Sequence, residues 1–350
     1  MKNDRLEKAL ECTGTDRVPF VPAIYEHKAW FINDTPSNVS RDVDLLTKAV
    51  LTEYEVVQPD ALTIGIDVYN VEAEAVGCKV TYYEGDDTSI PAISADSAVF
   101  SETTRLTSID LPDSHRDGRM PVNLEAAKNV KRRIRDEVPV RGALSGPFSM
   151  AANLVGPEHL FMLTVTNPGF VAELLSFTSE VAIRFGGAYI NEGCEVIIFD
   201  SQASPELLSP KMYRDLVLQP TRRMIEHFHA LGQKHVPLII GGNTTKILDS
   251  YIETGANNIL CDFSNDVSKF LIDCAKNRRA FRRNIDPTDF LVAEPSDLHR
   301  RAVTGLEESR GYPGYILGTG VVPYGTPTEN LKAIRDAAIE YNLRTTGYFL

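Results

Sequence analysis

Short apolar runs alternate with longer helical patterns along most of this chain, and no other feature limits its fold as much. A short apolar run bounded by polar turns reads as a strand buried on both faces. Parallel strands of that kind need a helix to carry the chain back between them. Runs at 18–24, 60–66, 138–144, 195–199, 235–240, 257–261, 279–285 and 315–317 supply eight strands. Eight βα units predict an α/β fold, a (β/α)8 TIM barrel, with a short helical extension ahead of the first strand.

Between the runs, residues 210–231 place Met212, Leu216, Met224, Ile225 and Phe228 on one stripe of a helix. Thr326, Pro327 and Glu329 read as N-cap, first residue and capping-box acid of the last helix. Residues 82–121, rich in Ser, Thr and Asp, read as a long connection holding a small hairpin. No Gly, Ser or Pro linker divides the chain, so residues 1–350 are expected to form one domain.

With 43% hydrophobic and 24% charged residues, the chain carries enough apolar side chains for a sizeable core. A net charge of −12 argues against nucleic acid and anionic membrane as partners. The densest basic stretch, Lys131-Arg132-Arg133 with Arg135, has no interleaved aromatic rings and reads as a solvated helix face. Five cysteines with no CxxC pair fit a reducing compartment. The start, Met1-Lys2-Asn3-Asp4-Arg5, is charged rather than apolar, and no run approaches the roughly 18 apolar residues of a membrane span. The expected location is the cytoplasm.

In such barrels the chemistry sits where strands end and the following loops begin. That rule selects Tyr25, Glu26 and His27 after the first run, and Asp67, Tyr69, Asn70 and Glu72 after the second. Ser145 and Ser149 follow 138–144, and Asp200, Ser201 and Ser204 follow 195–199. Later ends bring Gly241, Gly242, Asn243, Asp262, Asn265, Asn284, Asp286 and Thr319. The rule demotes His235, which begins its run, and His227 and His229, which lie on a helix.

Several segments then resemble one family, in order along the chain. They are Asp16-Arg17-Val18-Pro19, Phe199-Asp200-Ser201-Gln202-Ala203-Ser204 with Leu208-Ser209-Pro210, and Gly242-Asn243-Thr244-Thr245. Asn284-Ile285-Asp286-Pro287, Gly318-Thr319-Gly320-Val321-Val322-Pro323 and Thr326-Pro327-Thr328-Glu329-Asn330 complete the set. Together they resemble the uroporphyrinogen-decarboxylase superfamily, which implies the barrel already read from the runs.

Departures from the family pattern choose among its branches. The decarboxylases carry an arginine-rich segment after the first strand, suited to a substrate bearing many carboxylates. Here Tyr25-Glu26-His27-Lys28-Ala29-Trp30 stands there, with no arginine until Arg41, and Thr319 replaces the late histidine. Many corrinoid-linked methyltransferases of the family bind zinc through His-x-Cys and a late cysteine. Ile239, Gly241 and Val321 occupy those places, so no tightly bound zinc is expected. The remaining likeness is to methoxyaromatic:corrinoid protein methyltransferases, the first component of O-demethylase systems. It implies a small methylated donor, a corrinoid carried by a partner protein, and pairing into the homodimers common among relatives. A lyase of the decarboxylase kind, or a non-catalytic relative that docks a corrinoid protein, are the alternatives.

An aryl methyl ether loses its methyl group slowly unless the departing oxygen receives a proton. Glu26, His27, Tyr69 and Asp200 are the candidate catalytic residues. Tyr25, Asp67, Glu72, Ser149, Asn243 and Thr319 are the candidate substrate-binding residues. Plainer uses stand beside these: His27 and Asp200 as caps, Tyr69 as a packed ring, Asn243 as a turn residue, Glu72 as a helix start. No metal ligands are assigned, although Glu26, His27 and Glu72 are best placed should a metal bind.

Overall fold

The computed structural model describes residues 4–94, 96–309 and 311–345; residues 1–3 of the charged start and 346–350 of the expected domain lie outside these. Among these described residues ten strands appear in chain order. Eight form one parallel sheet: β1 (Phe20–Ala23), β2 (Leu62–Ile64), β5 (Val140–Ser145), β6 (Glu195–Phe199), β7 (Pro237–Ile239), β8 (Asn258–Cys261), β9 (Ala280–Ile285) and β10 (Tyr315–Val321). Their order is β1-β10-β9-β8-β7-β6-β5-β2, with helical segments connecting successive strands, the expected (β/α)8 barrel. The other two, β3 (Val80–Thr81) and β4 (Ala92–Ile93), pair antiparallel and are the small hairpin, begun two residues ahead of the stretch expected to hold it.

No strand ladder joins β1 to β2, and side-chain bonds together with one backbone bond close that seam. The Phe20 N–H donates to Asp60 Oδ2 at 2.7 Å, and the Asp60 N–H donates to the Phe20 carbonyl at 2.8 Å. Arg17 holds the same carboxylate, which gives the Asp16-Arg17-Val18-Pro19 segment its structural task. At the other end of the seam the fully buried Lys28 donates to the carbonyls of Ile24 (2.6 Å) and Gly65 (3.1 Å).

The helical extension is Arg5–Leu10. Its Leu6, Ala9 and Leu10 pack with Val21, Ala61, Ala280 and Ile316 and plug the N-terminal end of the barrel. Above that layer Ala23, Ala143, Ile197, Phe199, Ile239 and Leu260 fill the interior, because alternate residues of each strand point inward.

Three local expectations change. The helix expected over 210–231 contains a π turn, Tyr213–Val217, between Pro210–Met212 and Leu218–Ala230. Pro220 has no N–H for the carbonyl four residues back, and the backbone widens just before it. The buried face rotates to Tyr213 and Val217, leaving Met212 and Leu216 half-buried. The last helix starts at Thr328, and the Thr326 hydroxyl donates to the Pro323 carbonyl instead of capping it. β10 runs four residues beyond its expected end. Among the described residues no helix is long and apolar enough to cross a membrane.

Candidate functional site

The C-terminal strand ends open into a cavity of about 460 Å³. Ala23, Phe199, Ile239 and Leu260 rise into it from the barrel interior, and Val68 joins them from the loop after β2. Tyr25 and Tyr69 stand edge-on to Phe199, with ring centroids 5.4 and 6.0 Å away. This aromatic wall meets a polar set of Glu26, Asp67, Ser201, Asp262, Arg282 and Asn284. The hairpin closes one side through Ile90, and Asn70 Nδ2 donates to the Pro91 carbonyl at 2.7 Å to hold it there.

Glu26 follows β1 and is 7% exposed. Burial pushes its carboxyl up to about 7, against weaker pulls from its own backbone N–H and the Lys28 charge. Tyr25 is buried and pushed up to about 12, with the nearby Arg282 guanidinium opposing that rise. The Tyr69 hydroxyl shares a 2.7 Å hydrogen bond with Ser201 Oγ, which also accepts the Gly241 N–H. Asp67 reaches the cavity with its charge already matched by Arg119. These four expected residues, Tyr25, Glu26, Asp67 and Tyr69, share one chamber.

Asn70, Ser201, Gly241, Asp262 and Asn284, also at strand ends, line it too, whereas the other six candidate catalytic and substrate-binding residues do not. His27 was expected to face the mouth. Its ring instead packs edge-on against Phe31 at 4.7 Å, and Nδ1–H donates to the Pro323 carbonyl at 3.0 Å. Burial pushes it down to about 4, so at neutral pH the ring is neutral and its one N–H is spent on that carbonyl. Asp200 was expected to turn its carboxylate into the cavity. Its Oδ1 accepts the Ser149 N–H at 2.7 Å, because the strand end meets the free N–H groups that open helix Pro147–Val155. Glu72 is fully buried and binds the N–H and hydroxyl of Ser145, tying its helix to the end of β5. Ser149 opens on a neighbouring cleft. Thr319 points outward from β10 between the inward Gly318 and Gly320, and its hydroxyl accepts the Ala23 N–H at 3.0 Å. Asn243 donates to the Ser264 carbonyl and accepts the Thr245 N–H, which is its turn role.

Residues 1–341 match the family described as Uroporphyrinogen decarboxylase (URO-D). The chain belongs to this family. Among its relatives is the "Methylcobamide:CoM methyltransferase MtaA" of Methanosarcina barkeri, 25% identical, with 96% of this chain and 97% of the relative covered. A "Uroporphyrinogen decarboxylase" of Koribacter versatilis (strain Ellin345) is 27% identical over 88% of this chain and 86% of its own. The fold is shared with a solved "methyltransferase from Methanosarcina mazei", at a TM-score of 0.83 and 22% identity, covering 96% of this chain and 98% of that one.

Within the URO-D barrel, the three places where the resemblance implies zinc ligands hold Ile239, Gly241 and Val321, all on the cavity wall and none able to coordinate. Glu26, His27 and Glu72 do not assemble into a substitute. Among the described residues the one group of three His, Cys, Asp or Glu within ligating reach is Glu7, Glu11 and His235, at the barrel's far end. The chief residue that sequence reasoning passed over is Arg282. The strand-end rule looks only at termini, and Arg282 lies mid-strand; a charged residue inside an otherwise buried run was the available signal.

Proposed function

We propose that this URO-D family chain is an enzyme that moves a methyl group from a small methylated donor to the cobalt of a corrinoid carried by a partner protein. The proposed donor is a methoxylated aromatic compound. The observation that carries the reading is Glu26, a buried carboxyl that faces a cavity walled by Tyr25, Tyr69 and Phe199 and that burial pushes up to about 7. The name of the Methanosarcina barkeri relative, a methylcobamide methyltransferase, supports the corrinoid side.

In this reading the rings hold an arene and leave the ether oxygen beside Glu26. The reduced cobalt supplies the nucleophile. As the O–CH3 bond breaks, its electron pair stays on oxygen, and the Glu26 proton moves there, so a neutral phenol leaves. Asp67 is taken up by its ion pair with Arg119 and serves as part of the wall. The cavity lining holds neither thiolate nor imidazole and fits no thiolate zinc site.

Purified protein mixed with a reduced corrinoid protein and a panel of methoxyarenes, methylamines and thioethers tests the proposal. Spectroscopic methylation of cobalt with methoxyarenes, and release of the matching phenol, is the expected result. Methylation by the amines or thioethers alone would remove the aryl ether; no methylation from any donor would remove the transferase.

A further inference from the structure

Among the described residues three arginines are buried: Arg119, Arg141 and Arg282. Two have carboxylates. Arg119 pairs with Asp67 and Glu74, and Arg141 with Glu195 at 3.1 Å. Arg282 has none. It is 3% exposed, and its Nε is buried without a hydrogen-bond partner. A buried charge lacking a counter-ion is strongly unfavourable, and a fold that keeps one holds a place for an anion.

The surroundings agree. Arg282 sits on β9 two residues below Asn284, on the inward face, and lines the cavity. Its guanidinium lies by the Tyr25 hydroxyl. Gly318 on β10 makes room for it, since a Cβ there would stand 2.7 Å from Arg282 Cγ and Cδ. Asp262, an acid on the same wall, uses its oxygens on the N–H groups of Gly242 and Phe263 and on Asn284 Nδ2.

We infer that Arg282 anchors a carboxylate of the ligand, so that the molecule this cavity takes is an aromatic acid. The planar fork of arginine binds a carboxylate through two parallel N–H donors, while the ring lies against Tyr25, Tyr69 and Phe199. The methoxy group of that acid rests on the function proposed above; the anion site does not.

Calorimetric titration of 4-methoxybenzoate and of its neutral isostere 4-methoxybenzamide tests this without any corrinoid partner. The unaltered protein is expected to bind the acid at least about tenfold tighter than the amide. Arg282→Met is expected to bring the two within about twofold while leaving the melting temperature equal or higher, because it removes an unpaired buried charge. Arg282→Lys should keep part of the preference. Equal binding of acid and amide, binding of neither, or a preference that survives Arg282→Met overturns the inference. Failure of methyl transfer with acid binding intact counts against the proposed reaction alone. Turnover of the amide as readily as the acid counts against Arg282 alone.

Discussion

The two terminal nitrogens of Arg119 reach the two carboxylate oxygens of Asp67 at 2.8 and 2.7 Å, with both side chains buried. Arg119 Nε also holds Glu74 at 2.6 Å. The pair crosses from the loop after β2 to the start of helix Met120–Ile134 and fixes one wall of the cavity.

Removing one partner strands the other's charge out of water. Arg119→Met is therefore expected to cost about 3–5 kcal/mol of unfolding free energy in urea melts. Adding Asp67→Asn should recover part of that loss. A single variant within about 1 kcal/mol of the unaltered protein would show that Asp67 finds solvent or another partner.

Methyl transfer from an aryl ether should decline as pH rises through about 7, as Glu26 loses its proton. Glu26→Gln should lower the rate by about 10²-fold or more and flatten that limb. His27→Gln should leave the limb in place, because His27 is already neutral there. A pH limb that follows His27 instead would return the acid role to the histidine.

Stability should follow pH in a matching way. Burial raises Glu26 and Glu72 to about 7 from an ordinary 4.5, and Asp200 to about 6 from 3.8. Between those values the folded protein binds protons that the unfolded chain has released. Their stabilisation is complete below about pH 4 and is lost as pH rises towards 7. Glu53, raised by burial to about 7, adds to the same trend, while His27, pushed down to about 4 from 6.5, and His235, also lowered by burial, act oppositely and are outweighed by the four carboxyls. Urea melts at pH 5, 6 and 7 should show falling stability, steeper in His27→Gln. A flat or rising trend would mean these carboxyls are ionised in the fold.

Asp200→Asn separates a cap from a catalyst. The geometry predicts a loss within about 1 kcal/mol, because Asn keeps a side-chain oxygen for the Ser149 N–H, and unchanged turnover per folded molecule. A fold-intact variant with turnover down about 10²-fold would place Asp200 in the chemistry after all.

The alternation of apolar runs and helical stripes carried the barrel, because βα periodicity is local and strands buried on both faces leave a continuous apolar trace. It also carried Tyr25, Glu26, Asp67 and Tyr69, since a strand end faces the mouth whatever its neighbours are. What local pattern could not settle is which way a side chain points once another element approaches. Thr319 turned outward to β1 because its strand ran on past the expected end, and period-two alternation reversed its role. Asp200, Glu72 and His27 were claimed by backbone N–H and C=O groups from remote segments, Ser149, Ser145 and Pro323. Burial of those groups demanded a partner, and only packing decided which polar residue supplied it. The same holds for Arg282. Three buried arginines look alike in the sequence, and only the tertiary structure shows that two meet carboxylates and the third meets an open cavity.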